Sequence, residues 1–159
     1  LASAVGAATA LTHNNAQVIE AALCFTRATT RILSGAAPMD ALEATLAADG
    51  YSEKLTTAFE DGVASRDSDT RQTIADFGQM CSVEAALPGV FHLVAKYGND
   101  LAEALIQNVM AGGDSAARGM LAANLLGAHG GMDALPEGWV DGLNTRARIE
   151  AALVKIDAF

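Results

Sequence analysis

Apolar residues return at intervals of three and four through most of this 159-residue chain, and they never alternate with polar ones over the length of a strand. That spacing is one face of an α-helix, and it predicts an all-α fold. It is clearest in Val83, Ala86, Leu87, Val90, Phe91, Val94 and Tyr97, a run closed by Gly98. Pro88 falls inside the run and predicts a kink or a split into two helices, because proline gives up a backbone donor and crowds the turn before it.

The other boundaries follow from caps and stops. A first helix is expected from Leu1 to Leu11, ending at Thr12-His13-Asn14-Asn15, and a second from about Ala16 to Ser34, ended by Gly35. Pro38 suits the first turn of a third, which runs to Gly50. Leu55, Phe59 and Val63 give Ser52 to Ser65 the narrow apolar stripe of a surface helix, before the polar break Arg66-Asp67-Ser68-Asp69. Leu101 to Val109 forms a short helix that stops at Gly112-Gly113. Asp114 caps the next, which runs to Gly130-Gly131. Met132 to Gly142 reads as a loop with a turn near Pro136 and Trp139, and Asn144 is placed to cap a last helix through Ile156. The chain starts at Leu1 inside an alanine-rich helical pattern, so an upstream segment is expected to be cut away or to lie outside it.

Composition narrows the function classes. Hydrophobic residues make up 51% of the chain but aromatics 5%, so small side chains and closely stacked helices are expected. The net charge of −9, with the basic residues scattered, argues against nucleic acid and against anionic membrane surfaces. No stretch has the length and apolarity of a membrane span, and the first residues lack the basic start of a signal peptide. Cys24 and Cys81 have no metal-type spacing and are expected as two buried thiols. Together these point to a soluble, cytoplasmic protein.

The segment with most chemical content is Ala111-Gly112-Gly113-Asp114-Ser115-Ala116-Ala117-Arg118-Gly119. Two glycines permit a tight turn with positive φ, and the helix that follows has unpaired N–H groups at its start. Asp114 there either caps the helix or offers carboxylate oxygens to a hard cation such as Mg²⁺.

With its flanks, this segment resembles the ADP-ribosylglycohydrolase family. The resemblance runs from the Thr12-His13 turn through Phe77-Gly78-Gln79-Met80-Cys81, Ala85-Leu87-Pro88-Gly89, Lys96-Tyr97, Glu103-Ala104-Leu105, Asn108 and the Gly-Gly-Asp block to Leu135-Pro136-Glu137-Gly138-Trp139. It implies a multi-helix orthogonal bundle whose cleft binds ADP-ribose, or an ADP-ribosylated substrate, beside a pair of Mg²⁺ ions. Active members hydrolyse the bond between the ribose anomeric carbon and its acceptor. Carried onto this sequence, the resemblance puts His13, Gly113, Asp114 and Ser115 beside the ligand, and makes Asp114 a metal ligand.

Two departures stand beside the match. Metal-binding members follow Gly-Gly-Asp with Thr-Asp-Thr, whose second and third residues also ligate, whereas this chain has Ala116 and Ala117 there. Methyl groups cannot coordinate Mg²⁺, so Asp114 is left as the one candidate ligand and a dinuclear site is not expected. The family's catalytic acid, its Asp-Asp-Thr motif and its phosphate loop belong to its N-terminal half. Residues 1–159 therefore read as the C-terminal part of a single domain, inactive alone, with the N-terminal half supplied in cis or as a separate chain.

Two other residues have two readings each. His13 is a ligand contact or a helix-boundary hydrogen bond. Arg118 is a guanidinium standing where a cation once sat, or an ion pair at the surface or between helices. His92 and His129 have no partner at metal-ligand spacing. The rival functions are an ADP-ribose-binding or structural protein that has lost catalysis, and an interaction module that pairs with a separate chain.

Overall fold

The computed structural model describes residues 1–48 and 50–156. These form an all-α bundle: α1 Ala2–Ala10, α2 Ala16–Leu33, α3 Pro38–Ala48, α4 Glu53–Ala64, α5 Thr70–Phe77, α6 Val83–Tyr97, α7 Leu101–Met110, α8 Ser115–Gly130, a 3-10 turn Met132–Ala134, α9 Glu137–Asp141 and α10 Arg146–Ile156. Among the described residues there is no strand, as the apolar period requires. No helix is long and apolar enough to cross a membrane, again among the described residues.

Helix α6 is the centre. Every residue from Ala85 to Val94 is buried, the condition of a helix with protein on all sides. Phe91 stacks on Phe25 of α2 at 5.7 Å between ring centroids and takes Phe59 of α4 edge-on at 5.3 Å. Of the kink or split expected at Pro88, the split does not occur: α6 runs through it as one helix. Proline removes a single backbone bond there, while contacts on every side hold the flanking turns in register.

Contacts along the helices set their directions. Lys54 pairs with Glu84 near the starts of α4 and α6, and Ser65 meets His92 farther along both. Gln17 and Glu20 of α2 share a cavity wall with Glu84 and Leu87, ahead of the Phe25–Phe91 stack. Gly89 lies against Arg118 of α8, and Leu93 joins Ala122 in the core one turn on. The N-terminal ends of α2, α4, α6 and α8 therefore point to one end of the molecule. Helices α5 and α7 run the other way: Thr70 meets Tyr97 and Gly78 meets Ala85, while Asn108 meets Ser115 and Leu101 shares a wall with Leu126.

Several sequence expectations need correction. The helix α5 had no apolar signature, and it forms because Asp69 caps it, accepting from Gln72 N–H at 2.9 Å, while Thr70, Thr73 and Ile74 turn inward. Cys81 is exposed, because it falls in the short segment between α5 and α6; Cys24 is buried as expected, and the two form no disulfide. The loop after Gly131 contains the 3-10 turn and α9. The last helix begins at Arg146, where the N–H groups of Arg148 and Ile149 donate to the Thr145 carbonyl, so Asn144 lies before the cap position. Every residue from Asp141 to Lys155 is exposed.

His92 shows how a polar ring is paired inside the core. His92 is fully buried, with Nδ1 2.8 Å from Ser65 Oγ and Nε2 3.0 Å from Thr70 Oγ1, so a neutral ring joins α4, α6 and α5. Burial, and then the charge of Lys96, lower its pKa from 6.5 to about 4. Below pH 6.5 the unfolded chain takes up a proton that the fold refuses. Stability is thus complete above 6.5 and declines toward pH 4, by up to about 3 kcal/mol from this residue. Denaturant midpoints measured against pH should show that slope in the native protein and a shallower one in His92→Gln.

Gly62 sets the approach of α4 to α6. A Cβ there would lie 2.6 Å from Phe91 Cβ and 2.7 Å from the Pro88 carbonyl oxygen. Gly62→Ala should therefore destabilise the protein by about 2 kcal/mol in chemical denaturation, the helix-propensity gain being outweighed by separation of the two backbones.

Candidate functional site

The α7–α8 hairpin builds the site. Helix α7 ends at Met110, and Gly112 and Gly113 follow with φ of 73° and 64°, left-handed values that glycine adopts without strain. At Gly113 space is as decisive as φ. A Cβ would sit 2.3 Å from both Cβ and the carbonyl oxygen of Gln79, so the turn packs directly on the segment leading into α6. Two hydrogen bonds fasten that contact: Asp114 N–H donates to the Gln79 carbonyl at 2.9 Å, and Gln79 Nε2 donates to the Ala111 carbonyl.

Asp114 then starts α8, its Oδ1 accepting from Ala117 N–H at 3.1 Å. It is the helix cap that its position predicts. Ser115 is half-buried, Ala116 exposed and Ala117 half-buried. His13 is exposed and lies before α2, its Nδ1 2.9 Å from Thr12 Oγ1, while Asn15 caps that helix. His13 and Asp114 stand at the N-terminal ends of α2 and α8, toward one end of the molecule. Among the described residues no hydrogen bond joins them.

Sequence reasoning weighed Arg118 as a replacement cation or an ion pair, and missed its burial and its hydrogen-bond partners. Arg118 is completely buried: Nε donates to Asn108 Oδ1 at 3.1 Å, and Nη2 donates to the Gly112 carbonyl. Asn108 in turn donates from Nδ2 to the Ser115 carbonyl at 2.7 Å. Two glycines leave room for this pair, since a Cβ at Gly89 would be 3.1 Å from Arg118 Cδ and one at Gly119 2.8 Å from Asn108 Nδ2. Burial lowers the Arg118 pKa and Asp114 pulls it back up. An arginine stays protonated through such opposition. The available signal was periodicity: Asn108 continues the buried stripe Leu101, Ala104, and Arg118 shares one with Ala122 and Leu125. A polar residue on a buried stripe needs an internal partner.

A cavity of about 360 Å³ lies between α2, α4 and α6. Its apolar floor, Leu87 and Pro88, is rimmed by Glu20, Asp61, Glu84 and a single Lys54. That rim is unfavourable to an anion, and the cavity wall includes neither His13 nor the glycine turn.

Fold and site together define a helical-bundle protein with a glycine-hinged helix start at one end. The chain belongs to the ADP-ribosylglycohydrolase family, whose model matches residues 1–158. Comparison with curated proteins and with solved structures finds no match.

The donor set at the turn does not fit the divalent metal that the family implies. Mg²⁺ takes about six oxygens in near-octahedral order. Here the carbonyls of Ala111, Gly112, Gly113 and Ser115 already accept from Gln79, Arg118, Ser115 N–H and Asn108 respectively. One Asp114 oxygen caps α8, and Ala116 and Ala117 offer methyl groups. Among the described residues, no three His, Cys, Asp or Glu side chains gather where they could hold an ion.

Substitutions separate the roles within the turn. Asp114→Ala should lose about 1 kcal/mol of stability, the value of a helix cap. Gly113→Ala should lose about 3 kcal/mol, from left-handed φ together with collision with Gln79. Equal losses in urea unfolding would disprove the close packing of the turn on Gln79.

Proposed function

We propose that this chain forms one wall of a cleft for ADP-ribose, or for the ADP-ribosyl part of a modified substrate, and that the cleft belongs to a hydrolase of the glycosidic bond to the ribose. The family match over residues 1–158 carries this reading. The ligand side is the end where α2 and α8 begin, with His13, Gly113, Asp114 and Ser115 facing it. A pyrophosphate is favoured there, because the start of a helix presents backbone N–H groups and the positive end of its dipole. Asp114 and the Ser115 hydroxyl suit ribose hydroxyls as hydrogen-bond partners.

In the hydrolysis, water adds to the anomeric carbon as the bond to the acceptor breaks, and the acceptor leaves with a proton. Such a step ordinarily takes a carboxylate to manage the water and an acid to protonate the leaving group. Asp114 is a single carboxylate already engaged as a cap, so we read residues 1–159 as the C-terminal part of one domain, with the catalytic carboxylates provided by an N-terminal half in cis or as a separate chain. A cytoplasmic setting accords with this reading.

Ala116 and Ala117 favour a second reading, in which the protein binds ADP-ribose without turning it over. Calorimetry with ADP-ribose, paired with release of ADP-ribose from a modified protein, separates the two. Binding that weakens about tenfold in His13→Ala and in Ser115→Ala is expected, each losing one hydrogen bond to the ligand. Binding unaffected by either substitution would remove these residues from the cleft, and binding without turnover would favour the second reading.

A further inference from the structure

The oxygens around the Gly112-Gly113-Asp114 turn have a partner already, and it is organic. Arg118 lies beneath the turn, fully buried, with Nε on Asn108 and Nη2 on the Gly112 carbonyl. Asn108 relays the contact to the Ser115 carbonyl, so the guanidinium holds both sides of the helix start. Gly89 and Gly119 lack the side chains that would crowd this seat.

Hydrogen bonding alone does not explain so elaborate a seat. Nη1 is buried and has no hydrogen-bond partner among the described residues, although an arginine placed purely as a hydrogen-bonding brace would have its donors matched. What the position does supply is a fixed positive charge beside Asp114 and beneath the carbonyl of Gly112. A divalent ion at the turn would meet that charge at close range in a weakly screened interior, and would have to displace existing hydrogen bonds to gain ligands.

We infer that the Arg118 guanidinium is a built-in cation that takes the place of a divalent metal ion at the Gly112-Gly113-Asp114 turn, so that this turn takes no Mg²⁺. The inference deepens the ADP-ribose reading by making its glycine turn metal-independent. It can be tested without ADP-ribose, so either can fail alone.

The probe is Mn²⁺, titrated into the full-length protein and followed by water-proton relaxation, with Mg²⁺ as competitor. Two results are expected: no saturable ion at the turn, and a melting temperature equal in EDTA and in millimolar Mg²⁺. Weak binding that Asp114→Asn leaves unchanged belongs to the acidic surface and agrees with the inference. Saturable Mn²⁺ binding that Mg²⁺ displaces and Asp114→Asn abolishes would overturn it. Arg118→Met, which keeps the length of the side chain without its charge or donors, gives a second arm. Its melting temperature should fall by about 10 °C, since Asp114 and the Gly112 carbonyl lose their cation and Asn108 loses its donor. An Arg118→Met protein as stable as the native one would show that no cation is needed there, and would also overturn the inference.

Discussion

Helix α6 is enclosed on all sides, and the approach of its neighbours depends on positions without side chains. Gly62 brings α4 onto the backbone of α6 at Pro88, Phe91 and His92. Gly89 makes room on another side for Arg118 of α8. Close approach lets Leu87, Val90, Phe91, Leu93 and Val94 leave water together, each worth roughly 1.5–3 kcal/mol of burial. A larger residue at either glycine would push the layers apart and open gaps along the whole length of α6, because interiors are close-packed and compensate poorly for a displaced helix.

The same closeness explains why the interior contains polar groups. Where α4, α5 and α6 meet, His92 bonds Ser65 and Thr70. Where α6, α7 and α8 meet, Arg118 bonds Asn108 and the glycine turn. Each device sits at a three-helix junction; His92 ties segments distant in sequence, and Arg118 ties the end of α7 to the start of α8. Losing either set of hydrogen bonds would be costly, so such junctions specify one arrangement of helices more strongly than apolar contact does. The candidate site lies over the second junction, and its shape follows from what Arg118 and Gln79 hold in place.

Much of this was legible in the order of residues. The apolar period at Val83 to Tyr97, the break at Thr12 to Asn15 and the cap Asp114 give helices whose ends fall within a residue or two of the observed ones. The double glycine marks the turn, and the motifs around it mark the family. Less legible was α5, whose buried face is made of Thr70, Thr73 and Ile74 and so has almost no apolar contrast. The continuity of α6 through Pro88 was hidden too, since a local penalty was overruled by contacts with residues far away in sequence.

What the sequence by itself determined was the class of structure and the position of the turn. Helical period, capping side chains and glycine torsions act within a few residues and need no partner elsewhere. Only the tertiary structure decided that Arg118 lies inward, that Asn108 and Gln79 lock the turn, and that the oxygens there are already engaged. Those facts depend on which helix faces which, and a guanidinium at the start of a helix has the same local chemistry whether it faces water or the core.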